Sequence, residues 1–370
     1  MELTYRFLDA GSETEIVQWL DLYRVCYHHS VSREYWDWIH MTNPFYKKTK
    51  PLIFIAVSGN FIVGSISIVP SPLRIKTGQD IIPLNSCLVC KAMVHPEYQG
   101  RGIFSTLLEN AIRVAKEEEY DLLITFSNNR YSFQGFVRSG FFPITDIAQT
   151  RCYLSYQGPL KNQLAGLPYF LRKGIEYPIS WMYRQLLPGT RHTFHTDYHD
   201  AIEDSEEIDK ISASAPARPG IYGIRTPLFV IWRFSYPGFH FKCLSIREGH
   251  QMLAYLIIEY RHEGKNAIIV DLFARNNDYS LIMALVSELL VILHKEGFDT
   301  VQTYFPKTER DVQNVFSLRH GFIDHSRGSV EKTTPRFLCY NLKDNQYTQE
   351  FSKSAQWAIQ SADTCMFWGA

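Results

Sequence analysis

The sequence predicts a mixed α/β fold, a mixed α+β sheet in two tandem domains with the second a degenerate copy of the first. Three observations carry this. Apolar, β-branched runs alternate with helix-periodic segments along the whole chain. With 370 residues the chain exceeds ordinary single-domain size, and two units of roughly 150 to 200 residues are the natural division. The order of elements in the second half also repeats that of the first in outline, at a period of about two hundred residues.

Residues 13 to 28 carry Ile16, Trp19, Leu20 and Tyr23 at helical spacing, and a second helix is predicted from Ser32 to His40, stopping before Asn43-Pro44. Leu52 to Val57 and Phe61 to Val69 flank Ser58-Gly59-Asn60, a hairpin pattern. A polar loop is expected next, then a strand over Ser86 to Val94. After a glycine loop comes a helix over Ser105 to Glu119, with Leu107, Leu108, Ala111 and Val114 inward. A strand over Asp121 to Ser127, a short helix from Tyr131 to Ser139 capped by Gly140, and a strand opening at Phe141 to Ile144 complete the half.

Residues 158 to 215 change character. Pro159 to Leu187 is helical in pattern but interrupted by Gly166, Pro168, Gly174 and Pro178, and an acidic stretch Glu203 to Glu207 follows. The expected division is therefore an N-terminal domain over 1–157, a helical connector over 158–215 and a C-terminal domain over 216–370. In the last, Phe229 to Arg233 before Pro237 echoes Trp36 to His40 before Pro44. Strands over Cys243–Arg247, Met252–Tyr260 and Ala267–Ala274, a helix over Tyr279–Lys295, a strand over Thr300–Phe305 and a helix over Asp311–Arg319 before Gly321-Phe322 follow.

Lys and Arg number 38, as do Asp and Glu, which removes any global charge argument for a nucleic acid or membrane partner. No secretory leader pattern opens the chain and no run of about 18 apolar residues occurs, so a cytoplasmic protein is expected. Seven scattered cysteines fit reduced thiols. Cys87 and Cys90 form a CxxC, but inside a strand residues three apart face opposite sides, and no second pair completes a zinc site. His192, His195 and His199 fit no metal spacing well and read better as a solvated loop, so no metal is expected.

The chemistry concentrates in Val94-His95-Pro96-Glu97-Tyr98-Gln99-Gly100-Arg101-Gly102-Ile103-Phe104-Ser105. Two glycines permit a tight turn after a strand, and the helix that follows opens with unpaired N–H groups and partial positive charge. A pyrophosphate fits such an end. No Gly-Lys-Ser/Thr follows, and the third glycine and the acidic residue of a dinucleotide fingerprint are missing.

Strand, Val-x-Pro-x-Tyr, Gln-Gly-x-Gly-Ile, amphipathic helix, strand, Asn129 and Gly140-Phe141 together resemble the GNAT superfamily of CoA-dependent N-acyltransferases, closely over residues 50 to 145. The resemblance implies tandem GNAT-like domains and an acyl-CoA co-substrate, acetyl-CoA or a 3-hydroxyacyl-CoA. It implies that Gln99, Gly100, Arg101, Gly102, Ile103, Phe104 and Ser105 surround the pyrophosphate, with the amides from Arg101 to Ser105 holding it. Met93 and Val94 would pair with the pantetheine arm, and Asn129 would face it. Two departures stand out: Phe104 where the family has Gly or Ala, and Phe136 where it commonly has the Tyr that protonates the leaving thiolate.

Tyr131 and Ser132 are the nearest replacements for that acid, and each also suits a cap or packing role. His95 and Glu97, beside the loop, and His28, His29 and His40 are open as proton acceptors, with His28, Trp38 and His40 as candidate acceptor contacts. The second half has Arg275-Asn276-Asn277-Asp278 in place of the glycine loop and is expected to bind no CoA. Resemblance to bacterial enzymes that acylate nucleotide-linked amino sugars implies a small-molecule acceptor such as a dTDP-3-amino-3,6-dideoxyhexose, for surface-polysaccharide synthesis. An aminoglycoside-type amine acceptor and a non-catalytic acyl-CoA-binding module are the alternatives.

Overall fold

The computed structural model describes residues 2–47, 50–78, 80–155, 195–214, 220–236, 238–261, 265–307, 309–317, 321–325, 335–343, 348–353, 357–358 and 361–363. The expected helices between Pro159 and Leu187, and His192, lie outside them. The first half runs β1 (Leu3–Phe7), α1 (Glu13–Tyr27), α2 (Arg33–His40), β2 (Leu52–Ser58), β3 (Phe61–Pro70), β4 (Leu73–Thr77), β5 (Asp80–Leu84), β6 (Ser86–Val94), α3 (Ile103–Glu117), β7 (Leu122–Ser127), α4 (Arg130–Arg138) and β8 (Phe142–Tyr153). After β9 (His195–Asp200), α5 (Ser205–Ser214) and β10 (Gly220–Gly223), the second half runs α6 (Pro227–Phe234), β11 (His240–Glu248), β12 (Gln251–Arg261), β13 (Asn266–Ala274), α7 (Tyr279–Lys295), β14 (Thr300–Pro306), α8 (Arg310–Val315), β15 (Phe322–Asp324), β16 (Arg336–Asn341) and β17 (Trp357–Ala358).

Local chemistry explains the helix starts. Ser12 and Ser32 accept from the N–H of Glu15 and Tyr35, three residues on, and so open α1 and α2. The amphipathic α3 buries Ile103, Leu107, Leu108, Ala111, Ile112, Val114 and Ala115, each large side chain contributing about 1.5 to 3 kcal/mol. Its core includes Phe54, Ala56, Ile66, Cys87 and Val89, whereas α1 and α2 pack on the other face against Ile53, Ile55, Val57 and Met93. Cys87 and Cys90 join different cores, as strand geometry requires.

Thirteen strands form one sheet in the order β1-β2-β3-β6-β7-β16-β8-β14-β13-β12-β11-β9, with β15 beside β8. Each half receives a strand from the other. From the second half, β16 lies between β7 and β8, while residues 147–153 of β8 lie between β14 and β15.

The duplication is visible in paired details. Trp38 Nε1 donates to the Trp232 carbonyl at 2.8 Å and Trp232 Nε1 to the Trp38 carbonyl at 3.0 Å, with the rings stacked 5.5 Å apart. Such a reciprocal pair is what an approximate two-fold axis produces. In each half a threonine hydroxyl closes the end of a parallel pair, Thr125 on the Val89 carbonyl and Thr303 on the Ile269 carbonyl.

Three expectations change. The polar loop before β6 is the hairpin β4–β5, which joins β10 and β17 in a second sheet ordered β17-β10-β4-β5. Its inner side chains Leu73, Ile75 and Leu84 share a core with Ile221 and Trp357. Leu3–Phe7, not anticipated, pairs with β2 as an edge strand. Within the expected connector, His195 and His199 stand in β9, paired with β11, and Glu206 and Glu207 open α5.

Glu309, which precedes α8, is half-buried, and its Oε1 is buried with no hydrogen-bond partner. Burial, then Asp311 and Asp363, pushes its carboxyl up from 4.5 to about 8. The folded chain therefore holds a proton that the unfolded chain releases, and stability should fall as pH rises from about 4.5 to about 8. Glu309→Gln is expected to flatten that slope and stabilise the protein at pH 8 by about 2 kcal/mol, as read by urea denaturation across pH.

Candidate functional site

The site begins where two parallel strands part. Pairing of β6 with β7 covers only Ser86–Leu88 against Leu122–Ile124, although β6 runs on to Val94 and β7 to Ser127. Beyond the Thr125 hydroxyl the strands diverge and leave a gap. On its other edge β6 carries a bulge against β3: Cys90 to Met93 stands opposite Ser67 to Ser65, one residue more. Lys91 supplies it, with φ +50, a left-handed value uncommon for a lysine.

The loop after β6 delivers the chain to α3 at the mouth of that gap. Gly100 and Gly102 have φ +77 and +78, and a Cβ at either would meet nothing within 4 Å, so backbone conformation and not crowding selects glycine. Gly102 caps α3 without a side chain, no acidic residue occupies the first turn, and the N–H groups from Gly102 to Ser105 have no acceptor among the described residues. The helix dipole adds to this fan of donors, which suits a pyrophosphate.

The expected cofactor residues play different parts. Gln99 turns back to donate to the Val94 carbonyl at 3.2 Å, so its side chain fastens the loop. The Arg101 guanidinium donates to the Glu97 carbonyl at 3.1 Å and lies 4.9 Å from the Tyr98 ring centre. Ile103 and Met93 are buried and Val94 half-buried, so Ile103 and Met93 offer backbone rather than side chain. The Phe104 ring lies over α4 where Gly135 leaves room: a Cβ there would come within 2.4 Å of it. Phe104 thus packs away from the gap while its amide stays in the fan. Asn129 caps α4 by accepting from Tyr131 N at 2.7 Å.

Phe136 is 3% exposed, edge-on to Phe104 and Phe141 at 5.3 and 5.1 Å. A Tyr hydroxyl there would enter the core that Phe136 shares with Phe104 and Phe141. Phe136→Tyr is expected to cost about 1 to 3 kcal/mol of stability through an unpartnered hydroxyl without raising turnover, measured by thermal unfolding beside a thiol-release assay. Of the replacements, Tyr131 is 83% exposed at the start of α4. Ser132 Oγ bonds to Ser127 Oγ at 2.7 Å and the Asn129 carbonyl at 3.1 Å, as a helix-start serine does.

The acceptor candidates separate. His28 is exposed and ends α1 with φ 61. Trp38 is buried in the joint between the halves, where it meets Trp232, so its indole is not free to contact a ligand. His40 is 1% exposed, and burial, then the charge of Lys91, pushes it down to about 3. His95 and Glu97 flank a short turn, with His95 Nδ1 accepting from Glu97 N at 3.4 Å. Lys91, which no sequence motif singles out, is 7% exposed, with its ammonium 5.2 and 5.3 Å from the Tyr23 and Tyr35 ring centres.

The second half carries the same parting of strands but a different entry. Pairing of β13 with β14 ends at Ile269 and Thr303, and a turn at Ser361–Asp363 packs against both strands. Asn276 and Asn277 take left-handed φ values of 56 and 54, so the bend survives the loss of glycine. What changes is the cap: Asp278 places a carboxylate at the start of α7, 3.0 Å from Ser280 N. A negative charge already holds the place an anion would take. Among the described residues no cluster of His, Cys, Asp and Glu suits a metal ion, and no helix is long and apolar enough to cross a membrane. A cavity of about 630 Å³, lined in part by Met41, Tyr46, Lys47 and Tyr120, opens near the C-terminal end of α3 and shares no residue with the gap.

Comparison with known proteins agrees with this geometry. Residues 8–141 match the family model described as an acetyltransferase (GNAT) domain. That match falls on the part of the chain that holds the loop, α3 and the gap. No curated protein matches the chain. Solved structures resemble it along most of its length: a GCN5-related N-acetyltransferase from Anabaena variabilis ATCC 29413, at 12% identity and TM-score 0.59 over 92% of this chain and 73% of that one. A probable N-acyltransferase from Enterococcus faecalis V583 follows, at 10% identity and TM-score 0.61 with the same coverage. A tandem GNAT protein from the clavulanic acid biosynthesis pathway gives 13% and 0.57 over 93% of this chain and all of that one. At these identities the likenesses establish a shared fold. With the GNAT domain match, they support an acyl-CoA-dependent transferase.

Proposed function

We propose that the chain transfers an acyl group from acyl-CoA to the amine of a small molecule by direct attack on the thioester. The observation that carries this is the fan of unclaimed N–H groups from Gly102 to Ser105 at the mouth of the gap between β6 and β7. In this reading residues 1–157 bind the donor, 158–215 connect, and 216–370 wall in the acceptor. The fan holds the pyrophosphate, with Gln99 keeping the loop in place. The free edge of β6 at Met93 and Val94 bonds the pantetheine amides, and Asn129 faces that arm. The attacking amine must shed a proton, and no cysteine of the gap is needed as a nucleophile.

The acceptor we favour is a nucleotide-linked amino sugar, such as a dTDP-3-amino-3,6-dideoxyhexose, acylated in the cytoplasm for surface-polysaccharide synthesis. Acetyl-CoA or a 3-hydroxyacyl-CoA such as 3-hydroxybutanoyl-CoA is the donor. The polycationic alternative, an aminoglycoside, would draw on an acidic cluster such as Glu203 to Glu207. Glu203–Glu207 lies by β9, the last strand of the sheet, many strands from the first gap.

A thiol-release screen of several acyl-CoAs against amino-sugar nucleotides and simple amines tests both levels. Release with simple amines alone would sink the sugar acceptor, and absence of acyl-CoA binding would sink the transfer itself.

A further inference from the structure

The second half lacks the open helix end of the first, yet it places a charged residue where the two strands part. β16 runs antiparallel beside β7, so its first residue meets the last of β7: Arg336 stands opposite Ser127 in the register. Ser127 belongs to the stretch of β7 beyond Thr125, where pairing with β6 has ended. Arg336 is thereby carried to the lip of the gap, on the side of β7 away from β6.

Its guanidinium is accessible and only loosely held. The side chain is 44% exposed, and the carboxylate it pairs with, that of Asp146, lies 3.7 Å from Nε, beyond hydrogen-bond reach. Cζ sits 4.2 Å from the centre of the Phe133 ring on α4. A guanidinium held against a ring keeps the N–H groups along its edge for other acceptors. Phe133 also links this cation to the start of α3. It stands one helical turn before Phe136, which meets the ring of Phe104, from the first turn of α3, at 5.3 Å. Neither α3 nor α4 has an acidic residue in its first turn, and Arg130 is exposed at the start of α4. Arg130 and Arg336 outweigh Asp146, so these three side chains together offer a positive charge.

We propose that Arg336 completes the donor site by binding the 3′-phosphate of acyl-CoA. The inference rests on the acyl-transfer reading and names a residue of its donor site that comes from outside the first half. CoA carries this phosphate on the ribose that adjoins its diphosphate, so a diphosphate seated on the fan leaves the second anion one ribose away. A guanidinium edge gives a phosphate two parallel charge-assisted bonds, which makes arginine its strongest side-chain partner. Through β16 the second half takes part in recognising the donor as well as enclosing the acceptor.

Calorimetry on the full chain with CoA and 3′-dephospho-CoA tests this. The unaltered protein should bind CoA about tenfold or more tighter than dephospho-CoA. Arg336→Gln should weaken CoA by about that factor and leave the affinity for dephospho-CoA where it was, a split that lost packing on Phe133 would not produce. Arg336→Lys keeps the charge but not the paired N–H edge. It should cut the preference to about threefold, and it carries the test if Arg336→Gln fails to fold by circular dichroism. Equal affinity of the unaltered protein for the two cofactors, or a preference undiminished by either substitution, overturns the inference and leaves the transfer reading standing. Binding of neither cofactor by the unaltered protein overturns the transfer reading, and the inference with it.

Discussion

Gly102→Glu is expected to abolish acyl-CoA binding, with at least a hundredfold loss of affinity by calorimetry, equivalent to about 2.7 kcal/mol or more. Two effects add. The φ of +78 at this position costs a residue with a Cβ about 1 kcal/mol. The new carboxylate would also stand at the N-terminus of α3, where it takes the free N–H groups for itself and repels a pyrophosphate. The second half carries such a carboxylate, because Asp278 caps the start of α7. Gly102→Asn separates the two effects, since asparagine accepts left-handed φ, as Asn276 and Asn277 do, and brings no charge. It should keep most of the affinity. Equal binding by the glutamate variant and the native protein would remove the site from this helix end.

The second large effect is expected at the far end of the fold. Arg225 is wholly buried and bonds two carboxylates: Nε and Nη2 to Asp271 at 2.8 Å each, and Nη1 and Nη2 to Asp363 at 2.6 and 2.9 Å. Tyr255 adds a hydroxyl to Asp271 at 3.0 Å. Arg225→Met takes from two buried acids the guanidinium that bonds both and should cost about 3 to 5 kcal/mol of stability, read by denaturant titration. It should also release the turn at Ser361–Asp363 from between β13 and β14, which hydrogen exchange would detect as faster amide turnover there. A loss under about 1 kcal/mol would mean that the carboxylates are relieved by other means.

What could be read from the sequence was local. Glycine at positions 100 and 102 announces left-handed backbone, and the α3 side chains repeat at helical spacing, so loop and helix were legible to within two residues. The joint was not. Trp38 looks like an acceptor contact until its partner Trp232, 194 positions away, is in view. The hairpin β4–β5 reads as loop because Asp80 and Pro83 interrupt it and its sheet partner β10 begins at Gly220. Phe136 was assigned by its distance from Gly140, and only packing shows which way its ring points. Lys91 escaped because a bulge is a property of two strands in register, and neither strand alone carries it.

The traded strands set a timetable for biosynthesis. As the chain leaves the ribosome, β7 and β8 are made some two hundred residues before β16, the strand that must enter between them. Until Arg336–Asn341 emerges, the nascent first half presents Leu122–Ser127 with an unzipped border on that side. Cutting the gene at the boundary between the halves would strand the first half in that unfinished condition, so each half depends on the other for a complete sheet.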